Sequence, residues 1–515
     1  MLLNFYMITQ FTHKKYFIPI FLLGYVIVLQ LFLSIDSYLY ANNDHYDSAI
    51  FFMCGKALMN GYIPYEEFAD SKGVLLWFIY GIAYLIDHYS YIGVYWLLCL
   101  FYWMTFWLNY KIAYLWLPQS YSILASLTMA IPLWYWNFYT ETKAEYFCIP
   151  FITYSLYQLF LMVKQKHKYQ LINKHFLLIG IGLICVLMIK WSIAIMMLGL
   201  LISIGIYSFK VHILKSYILN LLIGILFASI PFIIYFTITQ SWQAMIQEYF
   251  INTLSSVSVP LKETIQSYID EWIKLFTTKR VIYVIYILPL LSLWNKKNWF
   301  ITSLPFLSAF FFLALSIRHD LFGHYISVVG PFAIFAIISI LTYIQRHKIK
   351  IQYYCVLLML GIIYIIYGKI HYSTNFFTKA QSVTEFENIN YMISQIKKPT
   401  IINMGQDRGF GMGYTLPYCR YWITQMGCTK EMLSRQEHSL YEAKADFICL
   451  NGKEPIAHYE KFVLRMGYNL IADYQNNRIY TKHLVKSHST QFKVQPLDII
   501  LKRNTGYINN EKDIK

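Results

Sequence analysis

The sequence predicts an α-helical polytopic membrane protein with a small α/β domain near its C-terminal end. Three observations carry that expectation. Of 515 residues, 57% are hydrophobic and only 14% charged, a balance found in membrane proteins rather than in soluble chains of this length. Apolar runs of roughly 17–25 residues, the length that spans a bilayer, recur up to about residue 370. Lysines gather in the short loops between those runs, where they fix orientation. The net charge of +16 therefore reads as a topology signal. No basic stripe with interleaved exposed aromatics accompanies it, so nucleic acid is excluded as a partner.

Taken in order, spanning helices are predicted at 16–35, 91–110, 112–136, 146–163, 176–189, 191–207, 217–239, 280–293, 299–317, 326–344 and 353–370. The first follows Lys14 and Lys15 and lacks a small-residue cleavage site, so it reads as an uncleaved signal-anchor. Lys111, Lys164, Lys166, Lys168, Lys174, Lys210, Lys215, Lys296, Lys297, Arg346, Lys348 and Lys350 are expected on the cytoplasmic side with the N-terminus. That assignment works only if Val74–Asp87, about 14 residues and too short for an untilted span, lies as a juxtamembrane helix on the outer face. Eleven crossings then place the C-terminus outside, in an inner or plasma membrane. Segments 176–189 and 191–207 must form a tight hairpin around Lys190.

The predicted organisation is a transmembrane domain over 1–371 with outer-face loops 36–90 and 240–279, an extracytoplasmic α/β domain over 372–485, and a polar tail over 486–515. In the second domain Thr400–Met404, Ala445–Leu450 and Arg478–Thr481 read as strands and Tyr459–Arg465 as a helix. Loop 240–279, with Trp242, Tyr249 and Phe250, is placed where a flap over a cavity would sit. Cys99, Cys148, Cys185 and Cys355 fall in apolar segments as small hydrophobes. Cys54 falls in the first outer loop, and the three C-terminal cysteines Cys419, Cys428 and Cys449 form no disulfide framework.

Residues 44–73 concentrate the candidate chemistry. They carry Asp44-His45-Tyr46-Asp47, then Gly55-Lys56-Ala57-Leu58-Met59-Asn60-Gly61-Tyr62-Ile63-Pro64-Tyr65, then Asp70-Ser71-Lys72-Gly73. The Gly-x-Ala-Leu-x-x-Gly-x-x-Pro-Tyr phrase, with its flanking acids and Lys72, resembles the first outer loop of the GT-C membrane glycosyltransferases. Within that superfamily the nearest likeness is to the protein O-mannosyltransferase and aminoarabinose transferase-like group. Two departures stand out: Ser48 follows Asp47 where an acidic pair is usual, and Val74 follows Gly73 where proline is usual.

The resemblance implies a glycosyltransferase that takes its sugar from a polyprenyl-phosphate donor and passes it to a glycan, lipid or protein acceptor at the outer face. It implies a catalytic acid just after the first helix. Asp47, fourteen residues before Gly61 (61 − 47), fits that place better than Asp44. A carboxylate there accepts the proton of an attacking hydroxyl; as the alternative, Asp47 caps the helix that follows. Glu145, with Glu141 one turn before it, resembles the family's second acidic site, and its alternatives are pairing with Lys143 or a helix N-terminus. Direct displacement implies inversion at the anomeric carbon. Metal use differs among the branches, which leaves a divalent ion open.

For the donor phosphate, Lys72 and Lys190 supply ammonium groups, unless they only snorkel to the interface. Asp70 orients Lys72 or holds a metal. Arg318 in the phrase Arg318-His319-Asp320-Leu321-Phe322-Gly323-His324-Tyr325 offers a planar fork for phosphate oxygens. His324 and Tyr325 resemble the family's His-Tyr pair. Two rival readings remain at this point: an O-antigen polymerase or ligase-type envelope-glycan enzyme, and a non-catalytic transporter or flippase of lipid-linked sugars. The first would place its key basic residues in a large late loop. The second would need a continuous polar path through the helices.

Overall fold

The computed structural model describes residues 16–40, 46–88, 90–134, 142–164, 172–253, 303–309, 327–372, 381–405, 415–424, 429–451, 457–474 and 477–485, with a few isolated positions between them. Its helices in chain order are α1 (Phe17–Leu33), α2 (Tyr46–Met59), α3 (Val74–Ile86), α4 (Ile92–Tyr114), α5 (Gln119–Thr128), α6 (Ala130–Trp134), α7 (Ala144–Lys164), α8 (Ile172–Ile189), α9 (Ala194–Lys210), α10 (Leu214–Ile238), α11 (Trp242–Met245), α12 (Ile334–Arg346) and α13 (Ile351–Tyr372). Short 3-10 turns at Trp191–Ile193 and Gly330–Ala333 lead into α9 and α12. Among the described residues, six helices are long and apolar enough to cross a membrane, and α1, α3 and most of α8 are shorter apolar helices. The chain is an integral membrane protein. The span expected at 280–293 and most of 299–317 lie outside the described residues.

Packing separates central from peripheral helices. In α7 and the Ser327–Arg346 helix, 72% of the apolar window is buried, against 11% in α10 and 17% in α13. The first pair forms the centre, and the last two turn most of their surface outward, as lipid-facing helices do. α10 lies along α8, with Gly180 and Gly224 admitting the partner backbone, the close approach that small residues give in membranes.

Three expectations change. The run 112–136 is not one helix. α4 continues to Tyr114, and Pro118, which cannot donate into a preceding turn, starts α5. Residues 46–59 are not loop but the helix α2, packed on α3. It ends at Gly61, whose φ of +89° is left-handed backbone that glycine adopts without a Cβ penalty. The tight hairpin about Lys190 also opens, because α8 packs chiefly along α10 and not along α9.

The C-terminal segment adds α14 (Gln381–Ser394), α15 (Lys430–Tyr441) and α16 (Ala457–Arg465) around a five-stranded sheet of β1 (Thr400–Asn403), β2 (Leu416–Pro417), β3 (Phe447–Asn451), β4 (Asn469–Tyr474) and β5 (Asn477–Thr481). The order is β2-β1-β3-β5-β4. β2, β1 and β3 run parallel, while β5 is antiparallel to both β3 and β4. The expected strands at 400, 445 and 478 correspond to β1, β3 and β5. The edge strands β2 and β4 and the helices α14 and α15 were not expected.

Candidate active site

The site is assembled on four residues, Thr142 to Glu145, at the start of α7. Asp36, just past the end of α1, is buried, and its carboxylate accepts the Thr142 hydroxyl. Ser48 Oγ, in the first turn of α2, donates to the Thr142 carbonyl at 3.1 Å. Lys143 Nζ lies 2.5 Å from Asp47 Oδ2. Glu145, in the first turn of α7, is ion-paired with Lys190. Both acids sit at helix N-termini, where backbone N–H groups favour negative charge. The ends of α1, α2, α7 and α8 therefore converge on one short segment.

Each pair is well withdrawn from solvent. The Lys190 and Glu145 side chains are 14% and 2% exposed, and those of Lys143 and Asp47 are 11% and 34%. Asp47 is the more open carboxylate, the side from which a hydroxyl can reach it. Lys190 occupies an extended break, φ −157° and ψ 100°, between α8 and the 3-10 turn, so its side chain leaves the helix axis towards α7.

The loop from Tyr62 to Gly73 is fastened to that break. Gly73 N–H donates to the Ile189 carbonyl at 3.0 Å. A Cβ at Gly73 would stand 2.0 Å from the Met188 carbonyl oxygen, so only glycine fits this crossing. Tyr65, left-handed at φ 67°, packs its buried ring against Trp77 with centroids 4.7 Å apart and planes tilted by 48°, and donates its hydroxyl to the Lys72 carbonyl at 2.9 Å. The Pro-Tyr turn thus positions the lysine segment. Lys72 Nζ donates to Ser71 Oγ at 2.8 Å and lies 5.5 Å from the Phe51 ring centroid. Asp70 Oδ1 accepts the Ser71 N–H at 2.6 Å, while its buried Oδ2 has no hydrogen-bond partner among the described residues. Burial pushes the Cys54 thiol well up, with Asp70 adding to the rise and Lys72 opposing it. Both charges therefore act on the inner face of α2.

Asp47, Glu145, Asp70, Lys72 and Lys190 are thus gathered at one end of the helices. Asp44, Glu141, Arg318, His324 and Tyr325 lie outside the described residues, as does Cys428. The Lys143–Glu145 pairing weighed from the sequence is replaced by two crossed pairs, Lys143 with Asp47 and Glu145 with Lys190. Sequence reasoning missed Asp36 and Thr142. Asp36 carried a usable signal, since an ionisable group at the very end of a span is costly unless partnered.

The described chain is thus a helical membrane core with its polar groups gathered where the first helices end and an α/β segment fastened there. No protein-family model and no curated protein matches the sequence, but solved structures match the fold. ArnT from Cupriavidus metallidurans, bound to undecaprenyl phosphate, superposes with a TM-score of 0.60 at 8% identity, over 91% of this chain and 99% of that one. The archaeal oligosaccharyltransferase AglB from Archaeoglobus fulgidus, in complex with an inhibitory peptide and a dolichol-phosphate, gives 0.50 at 9% identity over 93% and 75%. An Archaeoglobus fulgidus oligosaccharyltransferase complex with zinc and sulfate gives 0.50 at 10% identity over 90% and 73%. In the present chain, no group of three or more His, Cys, Asp or Glu stands together as a metal site among the described residues. Asp47 and Glu145 instead hold ammonium groups.

Proposed function

We propose that the chain is a membrane glycosyltransferase that moves a sugar from a polyprenyl-phosphate donor to an envelope acceptor (glycan, lipid or protein) on the extracytoplasmic face. The observation that carries the reading is the pair of crossed ion pairs on Thr142–Glu145, set in a fold shared with a structure bound to undecaprenyl phosphate. The proposed topology has eleven crossings, a cytoplasmic N-terminus and an outer C-terminal α/β domain over 372–485. Its support is that the C-terminal segment bonds directly to the site's own loops. Tyr46 donates to the Thr424 carbonyl, and Arg420 pairs with Glu66.

The chemistry is a single displacement. The acceptor oxygen attacks the anomeric carbon from the face opposite the phosphate, the carbon–oxygen bond to the phosphate breaks, and the configuration inverts. Asp47 accepts the acceptor's proton, held in aim by Lys143. The electron pair leaves with the polyprenyl phosphate, whose growing charge is met by Lys190 and Lys72. Glu145 orients Lys190, and Asp70 shapes the Lys72 turn. Arg318, His324 and Tyr325 complete the proposed donor site on the strength of the sequence phrase alone, and Asp44 is the second acid of the opening loop.

Asp47→Asn in purified protein, offered a panel of polyprenyl-phosphate sugars, tests the reading. Turnover is expected to fall on the order of 10²–10⁴-fold with lipid binding retained. Unchanged turnover overturns the base assignment.

A further inference from the structure

Of the loop 240–279 read as a flap, residues 240–253 are described, and most of the remainder lies outside the described residues. α11 runs directly into a π-helix, Ile246–Asn252, a rare geometry that recurs at functional sites. Its consecutive residues Glu248 and Tyr249 are both buried and engage different parts of the molecule.

Glu248 faces the C-terminal segment. Its carboxylate accepts the Tyr421 hydroxyl at 2.5 Å and Asn252 Nδ2 at 2.9 Å, and stands 3.6 Å from the Arg420 guanidinium. Burial, and then the hydrogen bond to Glu248, push the Tyr421 hydroxyl up. Arg420 also pairs with the Glu66 carboxylate, donates Nε–H to the Glu66 carbonyl at 3.0 Å, and accepts the Ala69 N–H on its own carbonyl at 2.9 Å. One arginine thus ties the C-terminal segment to both the opening loop and the π-helix.

Tyr249 faces the lysines' backbone. Its hydroxyl donates to the Leu187 carbonyl at 2.5 Å and accepts the Trp191 N–H at 2.9 Å. Those two bonds bracket Lys190. The same oxygen lies 2.9 Å from where a Cβ on Gly73 would be, and the ring is 6.1 Å from that of Tyr65, which holds the Lys72 carbonyl. A single phenol therefore fixes the Lys190 break and abuts the Lys72–Gly73 turn.

We propose that Glu248 and Tyr249 are positioning residues that couple the seating of the C-terminal segment to the lysine-bearing end of the site, and so set its affinity for a lipid-linked phosphate. The second clause rests on the glycosyltransferase reading; the coupling itself does not. Nothing in this relay touches a reacting atom. Its effect is to hold two backbone segments in the register that aims their ammonium groups.

The test uses the full chain in lipid nanodiscs and reads two quantities. Hydrogen exchange is followed at residues 187–193, at 416–424, and at a control stretch within α4. Undecaprenyl phosphate is the titrant. Glu248→Gln is expected to speed exchange at 416–424 and also at 187–193, with α4 unchanged. Tyr249→Phe, which keeps the ring, is expected to speed exchange at 187–193. Both are expected to weaken undecaprenyl phosphate binding about tenfold, the scale of one buried hydrogen-bond network lost, with turnover at saturating donor changed far less. Faster exchange at 416–424 in Glu248→Gln with 187–193 untouched overturns the coupling. An exchange response at both segments in a protein whose wild type binds no undecaprenyl phosphate upholds the coupling and overturns the lipid-phosphate reading. Unaltered binding in Tyr249→Phe, with wild-type binding intact, overturns the link to affinity.

Discussion

The layer around Thr142–Glu145 and the lipid-facing helices α10 and α13 are drawn from the same apolar alphabet but are built by different forces. α10 is a 25-residue helix with only 11% of its apolar window buried. Its close crossing with α8, at Gly224 and Gly180, is a matter of van der Waals fit. The Thr142–Glu145 layer buries Asp36, Glu145 and Lys143, keeps Asp47 and Lys190 part-buried, and satisfies all five by crossed contacts between four chain segments. In the first region a side chain can change with little consequence so long as it stays apolar. In the second each group's partner is specified, because an unpartnered charge there has no water to fall back on.

The largest effect expected from breaking that contrast is at Lys190. Lys190→Met leaves Glu145, 2% exposed at its side chain, without the partner that balances its charge. Removing one member of a buried pair costs about 3–5 kcal/mol, so thermal unfolding in detergent should move down sharply. Adding Glu145→Leu to the same protein should restore most of the loss, because the doubly substituted site holds neither buried charge. Activity should stay lost in both. A double variant no more stable than the single one would show that the pair is not an isolated electrostatic unit.

A smaller effect is expected at Gly73. A methyl placed 2.0 Å from the Met188 carbonyl oxygen, and 2.9 Å from the Tyr249 hydroxyl, meets rigid backbone, so the loop and the Lys190 break must separate. Gly73→Ala should cost about 1–3 kcal/mol, the range of overpacking, and should raise the KM for the donor. The matched control is Gly24→Ala on α1, where nothing lies within 4 Å of the added carbon. In a helix interior that change should be neutral or slightly favourable. Thermal melts of the two proteins side by side decide it. Equal behaviour would mean that the Gly73 crossing is adaptable.

The same contrast explains what could be read in the sequence. Long apolar runs announced α1, α4, α7 and α10 because hydrocarbon thickness dictates helix length. The break at Pro118 and the helicity of residues 46–59 were not legible that way. α2 is buried along most of its length, so it shows no polar face to betray its period. Asp47, Glu145, Lys72 and Lys190 stood out as charges beside apolar segments. Their pairing did not, since Asp47 and Lys143 are 96 residues apart and Glu145 and Lys190 are 45 apart, and only the fold chooses among nearby cations. Tyr65 and Tyr249 were legible only as members of a turn phrase and of a loop, because a tyrosine near a membrane surface ordinarily reads as an interface anchor. Their role lies in hydroxyls bonded to backbone carbonyls, which leave no trace in residue type.

Lys56 sharpens the comparison at its weakest expected effect. It lies in α2, buried, with its ammonium 6.0 Å from the Phe52 ring centroid, and burial pushes its pKa down to about 7 from 10.5. Between those two values the folded protein holds fewer protons than the unfolded chain, so stability rises with pH across that window. The penalty for burying the ammonium is full below pH 7 and is relieved as pH climbs towards 10.5. Lys56→Met keeps the length and removes the charge. Its melting temperature should exceed that of the wild type by roughly 3–6 °C near pH 6, and the difference should shrink steadily towards pH 10. A difference that does not change with pH would show that Lys56 is neutral or well compensated throughout.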